Sequence, residues 1–237
     1  MDRYYPGRHG AGAGAATYDA GLRRYMLRIY NYMAAGLTIS GAVAFAVAST
    51  PALAEAIFGT PLKWVAIFAP LGFVFFLSVR MERMSAVSLR TAFYGFAAVM
   101  GVSLAALFLT FTGQSIAMAF FAAGAMFLGM SLWGYTTSAD LTRFSSFLMM
   151  GLIGVVLASI ANLFLASTIL QLVVAIVGVL VFTGLTAWDT QRAKSDYVQF
   201  AGTPQAEKLA IWSALSLYLN LINLIQLMLT FLGQRRD

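Results

Sequence analysis

The chain has 237 residues, of which 60% are hydrophobic and only 10% charged. Soluble domains carry about 25% charged residues, so a chain this poor in charge cannot cover a water-facing surface and must have lipid as its main solvent. The formal charge of +6 then points to basic loops flanking a membrane and not to a nucleic-acid partner. Cysteine is absent and His9 is the single histidine, which excludes disulfides, thiolate chemistry and histidine-based metal or nucleophilic centres within the membrane.

Residues 1–22 are polar and contain Pro6 and the run Gly10-Ala-Gly-Ala-Gly-Ala-Ala16. They predict a flexible cytoplasmic tail, without the apolar stretch a signal peptide needs after Arg3 or Arg8. A transmembrane domain is predicted over 23–237. Apolar segments run from about Leu27 to Ser49, Leu62 to Val79, Leu89 to Phe111, Ser115 to Tyr135, Phe144 to Ala166, Thr168 to Trp188 and Leu209 to Leu232. Each is long enough, at about 20 residues, to cross a hydrocarbon core of about 30 Å as a helix. None alternates as a barrel strand would. The expected fold is all-α and polytopic, with seven transmembrane helices. The weakest boundary falls around Ala166-Ser167, where one long or broken helix would change the count.

Orientation follows from the basic residues. With seven crossings, Arg3, Arg8, Arg23, Arg24, Arg28, Arg80, Arg83, Arg90, Arg143, Arg192, Lys194 and Lys208 share one side. Only Lys63, Arg235 and Arg236 lie opposite. The expectation is an inner-membrane protein with a cytoplasmic N-terminus. Charge alone leaves six against seven crossings open, because a last segment that fails to cross would move Arg235 and Arg236 inside. Small residues (Gly36, Ser40, Gly124, Gly129, Gly151, Gly154, Ala158) are expected to mark close helix packing.

Polar groups at membrane depth are costly and therefore informative. Asp189 follows Trp188 at the end of the sixth segment, and Arg80 closes the second, with Glu82 and Arg83 just beyond. An Asp189–Arg80 pair is one expectation; separate snorkelling of each charge to the interface is the other. In the seventh segment Ser213, Ser216, Asn220 and Asn223 fall on one helical face. That face must meet protein or water, which places the last helix centrally in the bundle. A transport path and plain interhelical hydrogen bonding explain the stripe equally well.

Four stretches carry a resemblance. They are Arg28-Ile-Tyr-Asn-Tyr-Met-Ala-Ala-Gly-Leu37, Leu132-Trp-Gly-Tyr-Thr-Thr-Ser-Ala-Asp-Leu-Thr142, Phe182-Thr-Gly-Leu-Thr-Ala-Trp-Asp-Thr-Gln191 and Ala214-Leu-Ser-Leu-Tyr-Leu-Asn-Leu-Ile-Asn-Leu224. In this order they resemble the Bax inhibitor family, in its bacterial branch, from about residue 20 onward. The resemblance implies seven helices, with the last enclosed by the other six. It also implies a pH-sensitive calcium leak, in which two aspartates share a proton and an arginine of the second helix pairs with them. The first aspartate corresponds to Asp189, and the arginine to Arg80 or, less closely, Arg83. The second is replaced: where the family reads Leu-Tyr-Leu-Asp, this chain reads Leu217-Tyr-Leu-Asn220.

An asparagine cannot ionise, but its amide can hold Asp189 by a hydrogen bond at any pH. Two coupled carboxylates titrate as a unit, whereas one does not. A weaker pH response and a weaker pull on calcium are therefore expected, with Asp189 as the sole, weak Ca²⁺ contact and Ca²⁺ a permeant ion and not a cofactor. The expected partners are the bilayer and the permeant cations. An alternative reading, also suggested by the resemblance, is a regulatory protein or substrate of a membrane-bound ATP-dependent protease, gripped by its tail. No enzyme is expected: Asp189 has no second intramembrane acid for a protease dyad, and Lys63, Lys194 and Lys208 lie too near helix ends for a retinal Schiff base.

Overall fold

The computed structural model describes residues 9–236, with side chains from Asp19 onward. Eight α-helices follow in order: α1 (His9–Ser49), α2 (Pro51–Phe58), α3 (Leu62–Arg80), α4 (Ala86–Thr110), α5 (Gly113–Thr136), α6 (Ser145–Leu165), α7 (Thr168–Phe200) and α8 (Pro204–Leu232). All but α2 hold a span long and apolar enough to cross a membrane, which makes seven. Among the described residues there is no β-strand; a single backbone bridge joins Phe111 and Arg235.

The ends of these helices are written in local chemistry. Ser85, Thr112 and Ser167 cap α4, α5 and α7, each accepting a hydrogen bond from the backbone N–H three residues on, which satisfies one of the donors a helix start leaves open. The α6–α7 boundary is a true break. Ala166 turns left-handed at φ 46°, the Ser167 N–H donates to the Asn162 side chain at 2.9 Å, and Ser167 then starts α7. Fifth and sixth spans are thus a tight hairpin, and the count of seven stands.

The last helix is long enough to cross fully. α8 has 29 residues, about 44 Å at 1.5 Å per residue. Beyond it, the Thr112 N–H donates to the Gln234 carbonyl (3.0 Å) and the Arg236 N–H to the Thr110 carbonyl (2.9 Å). The C-terminal segment is thereby fastened to the α4–α5 turn, at the opposite end of the bundle from the α7–α8 turn.

α8 is central, as expected, but not evenly enclosed. It packs chiefly against α1, α4, α5 and α7, while α3 lies on α4 and α6 on α7 as outer helices. Three further expectations need adjusting. The tail expected to stay flexible to residue 22 is helical from His9, and Leu22 is already buried; residues 1–8 lie outside the described residues. The alanines of that run favour a helix once α1 is nucleated by the packed span beyond. α7 runs on to Phe200, twelve residues past the apolar segment, so Asp189 is interior to its helix and not at its end. Finally, of the small residues expected at packed interfaces, Gly36 faces Phe93 and Gly151 faces Val181, but Gly124, Gly129 and Gly154 face open space.

Candidate functional site

α8 is held on two sides by two residues of one turn. On one side Tyr218, fully buried, packs edge-on against Phe93 and Phe96 of α4. Its hydroxyl lies 2.6 Å from the Ser40 hydroxyl of α1, which in turn lies 2.6 Å from the Ala97 carbonyl. A serine has one proton to give, and two backbone carbonyls compete for it, Ala97 at 2.6 Å and Gly36 of the same helix at 3.0 Å; the shorter contact goes to Ala97, and Tyr218 donates to Ser40. α1, α4 and α8 are tied at one point.

On the other side Asn220 meets α7. Its Nδ2 donates to Asp189 Oδ2 at 2.8 Å, and both side chains are buried, at 5% and 4% exposure. The second carboxylate oxygen, Oδ1, lies 3.2 Å from Nη2 of Arg192, one turn further along α7. That contact lacks the angle of a hydrogen bond, leaving both atoms without one. The guanidinium also lies over the Trp188 ring, 5.0 Å from its centre. The site is thus one acid with an amide on one oxygen and a loosely held cation on the other.

α5 supports this level of α7. A Cβ at Gly134 would run into the backbone of Ala187, two residues before Asp189, so only glycine lets the helices approach this closely. One residue past Asp189, Thr190 donates to the Thr186 carbonyl (2.8 Å). With that proton spent, Ser131 donates to Thr190 (2.9 Å) and Tyr30 to Ser131 (2.6 Å). A directed chain of hydroxyls thus links α1, α5 and α7. Nearer the α7–α8 turn, Glu207 of α8 accepts from both Arg28 and Tyr32 of α1, and Lys208 donates to the Glu82 carbonyl at 3.2 Å.

The residues singled out in the sequence divide accordingly. Asp189 and Asn220 are brought into contact, with Ser216 beside them. Ser213 is buried on the same face with no hydrogen-bond partner. Asn223 turns back to the Leu219 carbonyl of its own helix (2.8 Å) and takes no part. The expected Asp189–Arg80 pair does not form. Arg80 is exposed, ends the outer helix α3, and lies over its own Phe76 ring at 5.9 Å; Arg83 is exposed as well. The outer position of α3 leaves the interface as the refuge for both charges. Arg192 takes that place, and its spacing of three from Asp189 was the available signal once α7 is read as continuing beyond Trp188.

No group of three or more metal-ligating His, Cys, Asp or Glu exists among the described residues. Resident calcium takes six to eight oxygens, and one carboxylate already facing two nitrogen donors does not supply them.

These features define a polytopic helical membrane protein whose central helix carries a buried acid–amide contact. The family described as "Inhibitor of apoptosis-promoting Bax1" matches residues 22–237, and the chain belongs to that Bax inhibitor family. It is 43% identical to protein RP147 of Rickettsia prowazekii, over 93% of this chain and 94% of that one. It is 39% identical to the inner membrane protein YbhL of Escherichia coli K12, over 92% and 94%.

Proposed function

We propose that the chain is a slow, pH-influenced leak for calcium and similar cations across the inner membrane, with Asp189 as the acid at its gate and Asn220 holding the gate shut. The observation that carries this reading is the buried Asn220–Asp189 hydrogen bond between the central helix and α7. A buried acid that is only half satisfied is costly to keep and marks a functional position. Beyond Asn220 the same α8 face continues as Leu224, which is buried, and Leu227, which packs over Gly178 of α7, an apolar seal on the far side. A cation reaching Asp189 must displace Arg192 from Oδ1 and the amide from Oδ2, and α8 must shift to break the seal. With the N-terminus in the cytoplasm, as the basic residues favour, the acid lies on the cytoplasmic side of that seal.

The pH response rests on one carboxyl group. Protonating Asp189 removes the attraction to Arg192 while Asn220 can still bond to it. Without a second coupled acid the response has the shallow slope of a single site. The test is calcium flux into proteoliposomes between about pH 6 and 8, the span of a single-site titration. Asp189→Ala should abolish most of the flux, since Asp189 is the one buried carboxylate among the described residues. Asn220→Asp should steepen the pH profile. Wild-type flux in Asp189→Ala would overturn the reading.

A further inference from the structure

A cavity of about 540 Å³ opens between α1 and α5, inside the range of about 300–1,000 Å³ usual for ligand sites. Its walls are apolar, with Leu27, Leu128 and Leu132 all at least half exposed. Its floor is the Tyr30–Ser131 hydroxyl pair. Asp19 and Arg23 line it where the first membrane span begins. They lie four residues apart, on one helical face, and both are exposed. No ion pair involves either among the described residues. The cavity is thus apolar towards the membrane interior and carries one free charge of each sign at headgroup depth.

We propose that this groove binds a phosphatidylethanolamine molecule from the bilayer. Its acyl chain lies along the leucines. Arg23 takes the phosphate through charge-assisted N–H bonds, and Asp19 accepts from the ammonium. Choline offers no N–H to Asp19, and a purely anionic headgroup meets repulsion there instead of a partner. The floor leads through Ser131 to Thr190, next to Asp189, so the bound chain braces the α1–α5–α7 contact behind the site. Binding is read without any flux measurement, so its failure and that of the leak reading are separate events.

The experiment is native mass spectrometry of the full-length protein in detergent, with phosphatidylethanolamine, phosphatidylcholine or phosphatidylglycerol added. The ethanolamine lipid should bind about 3–5-fold more tightly than the other two, the scale of one exposed charge pair. Asp19→Asn should reduce it to the phosphatidylcholine level, and Arg23→Gln should lower retention of all three lipids. Leu128→Trp should block the groove and lower lipid retention, whereas Phe121→Trp, elsewhere on the exposed surface of α5, should not. All these positions are exposed, so the variants fold, as unchanged thermal melting will report. Equal retention of the three lipids, preference for the anionic lipid, or full ethanolamine preference in Asp19→Asn overturns the proposal.

Discussion

Helices α6 and α8 make an instructive pair. α6 is the more apolar of the two, yet it buries only Leu148 and Val155 and presents Phe147, Met150, Leu157 and Phe164 to the lipid. α8 carries two asparagines and two serines in its span and buries twelve side chains. In water the more apolar helix would be the inner one. In a bilayer, lipid solvates apolar side chains as well as protein does, so hydrophobicity selects the membrane and polarity selects the middle of the bundle. The residues that look expensive in α8 are the ones that place it.

The comparison can be broken most directly at Asn220. Asn220→Ala removes the amide that donates to the buried Asp189 carboxylate, which should destabilise the fold by about 1–3 kcal/mol. It should also raise calcium leak, because the acid remains while its tether to α8 is lost. Phe147→Ala on α6, 72% exposed to lipid, should change neither. Thermal melting in detergent followed by tryptophan fluorescence, with flux in parallel, reads both. Equal destabilisation by the two variants would mean that α8 is not the organising helix.

A second contrast uses two glycines. At Gly134 an added side chain meets the Ala187 backbone, whereas at Gly154 of α6 it meets nothing within 4 Å. Gly134→Val should cost about 1–3 kcal/mol through overpacking at the α5–α7 crossing, and its strain falls beside Asp189. Gly154→Val should be neutral or slightly stabilising, since valine is a better helix residue than glycine by a few tenths of a kcal/mol. A matched pair of melting curves checks the difference. A loss at Gly154 would place another surface, such as a second copy of the chain, against α6.

Seven spans were legible because each apolar run matches the thickness of a bilayer, and the Ser213–Ser216–Asn220 stripe marked the inner face of α8. What escaped the sequence shares one cause: helices do not stop where hydrophobicity does. α7 continues through Arg192 and Asp196 as a polar helix, so the cation beside Asp189 looked like a loop residue. α2 was invisible because eight residues cannot span, although Pro51 sits at a favoured helix start. Arg80 looked like a partner because composition does not show that α3 lies outside the ring. Gly124, Gly129 and Gly154 match the small-residue pattern of a packed face, yet they point away from the bundle, and only coordinates distinguish the two.

The smallest expected effect lies on the other side of α8. Tyr218→Phe keeps the aromatic packing on Phe93 and Phe96 but removes the proton given to Ser40. Ser40 keeps its own donation to the Ala97 carbonyl, so only one acceptor position is left unused. The cost should be about 1 kcal/mol, a melting shift of a few degrees at most. Flux should stay at the wild-type level, because Asn220 and Asp189 are untouched. Ser40→Ala removes the donor to Ala97 as well and strands the Tyr218 hydroxyl in an apolar seam, so it should cost more than Tyr218→Phe. If the order were reversed, the tyrosine would be holding α8 by its ring alone. The hydroxyl link between α1 and α8 would then have no energetic role, and Asn220 would be the tether that holds the buried middle of the central helix.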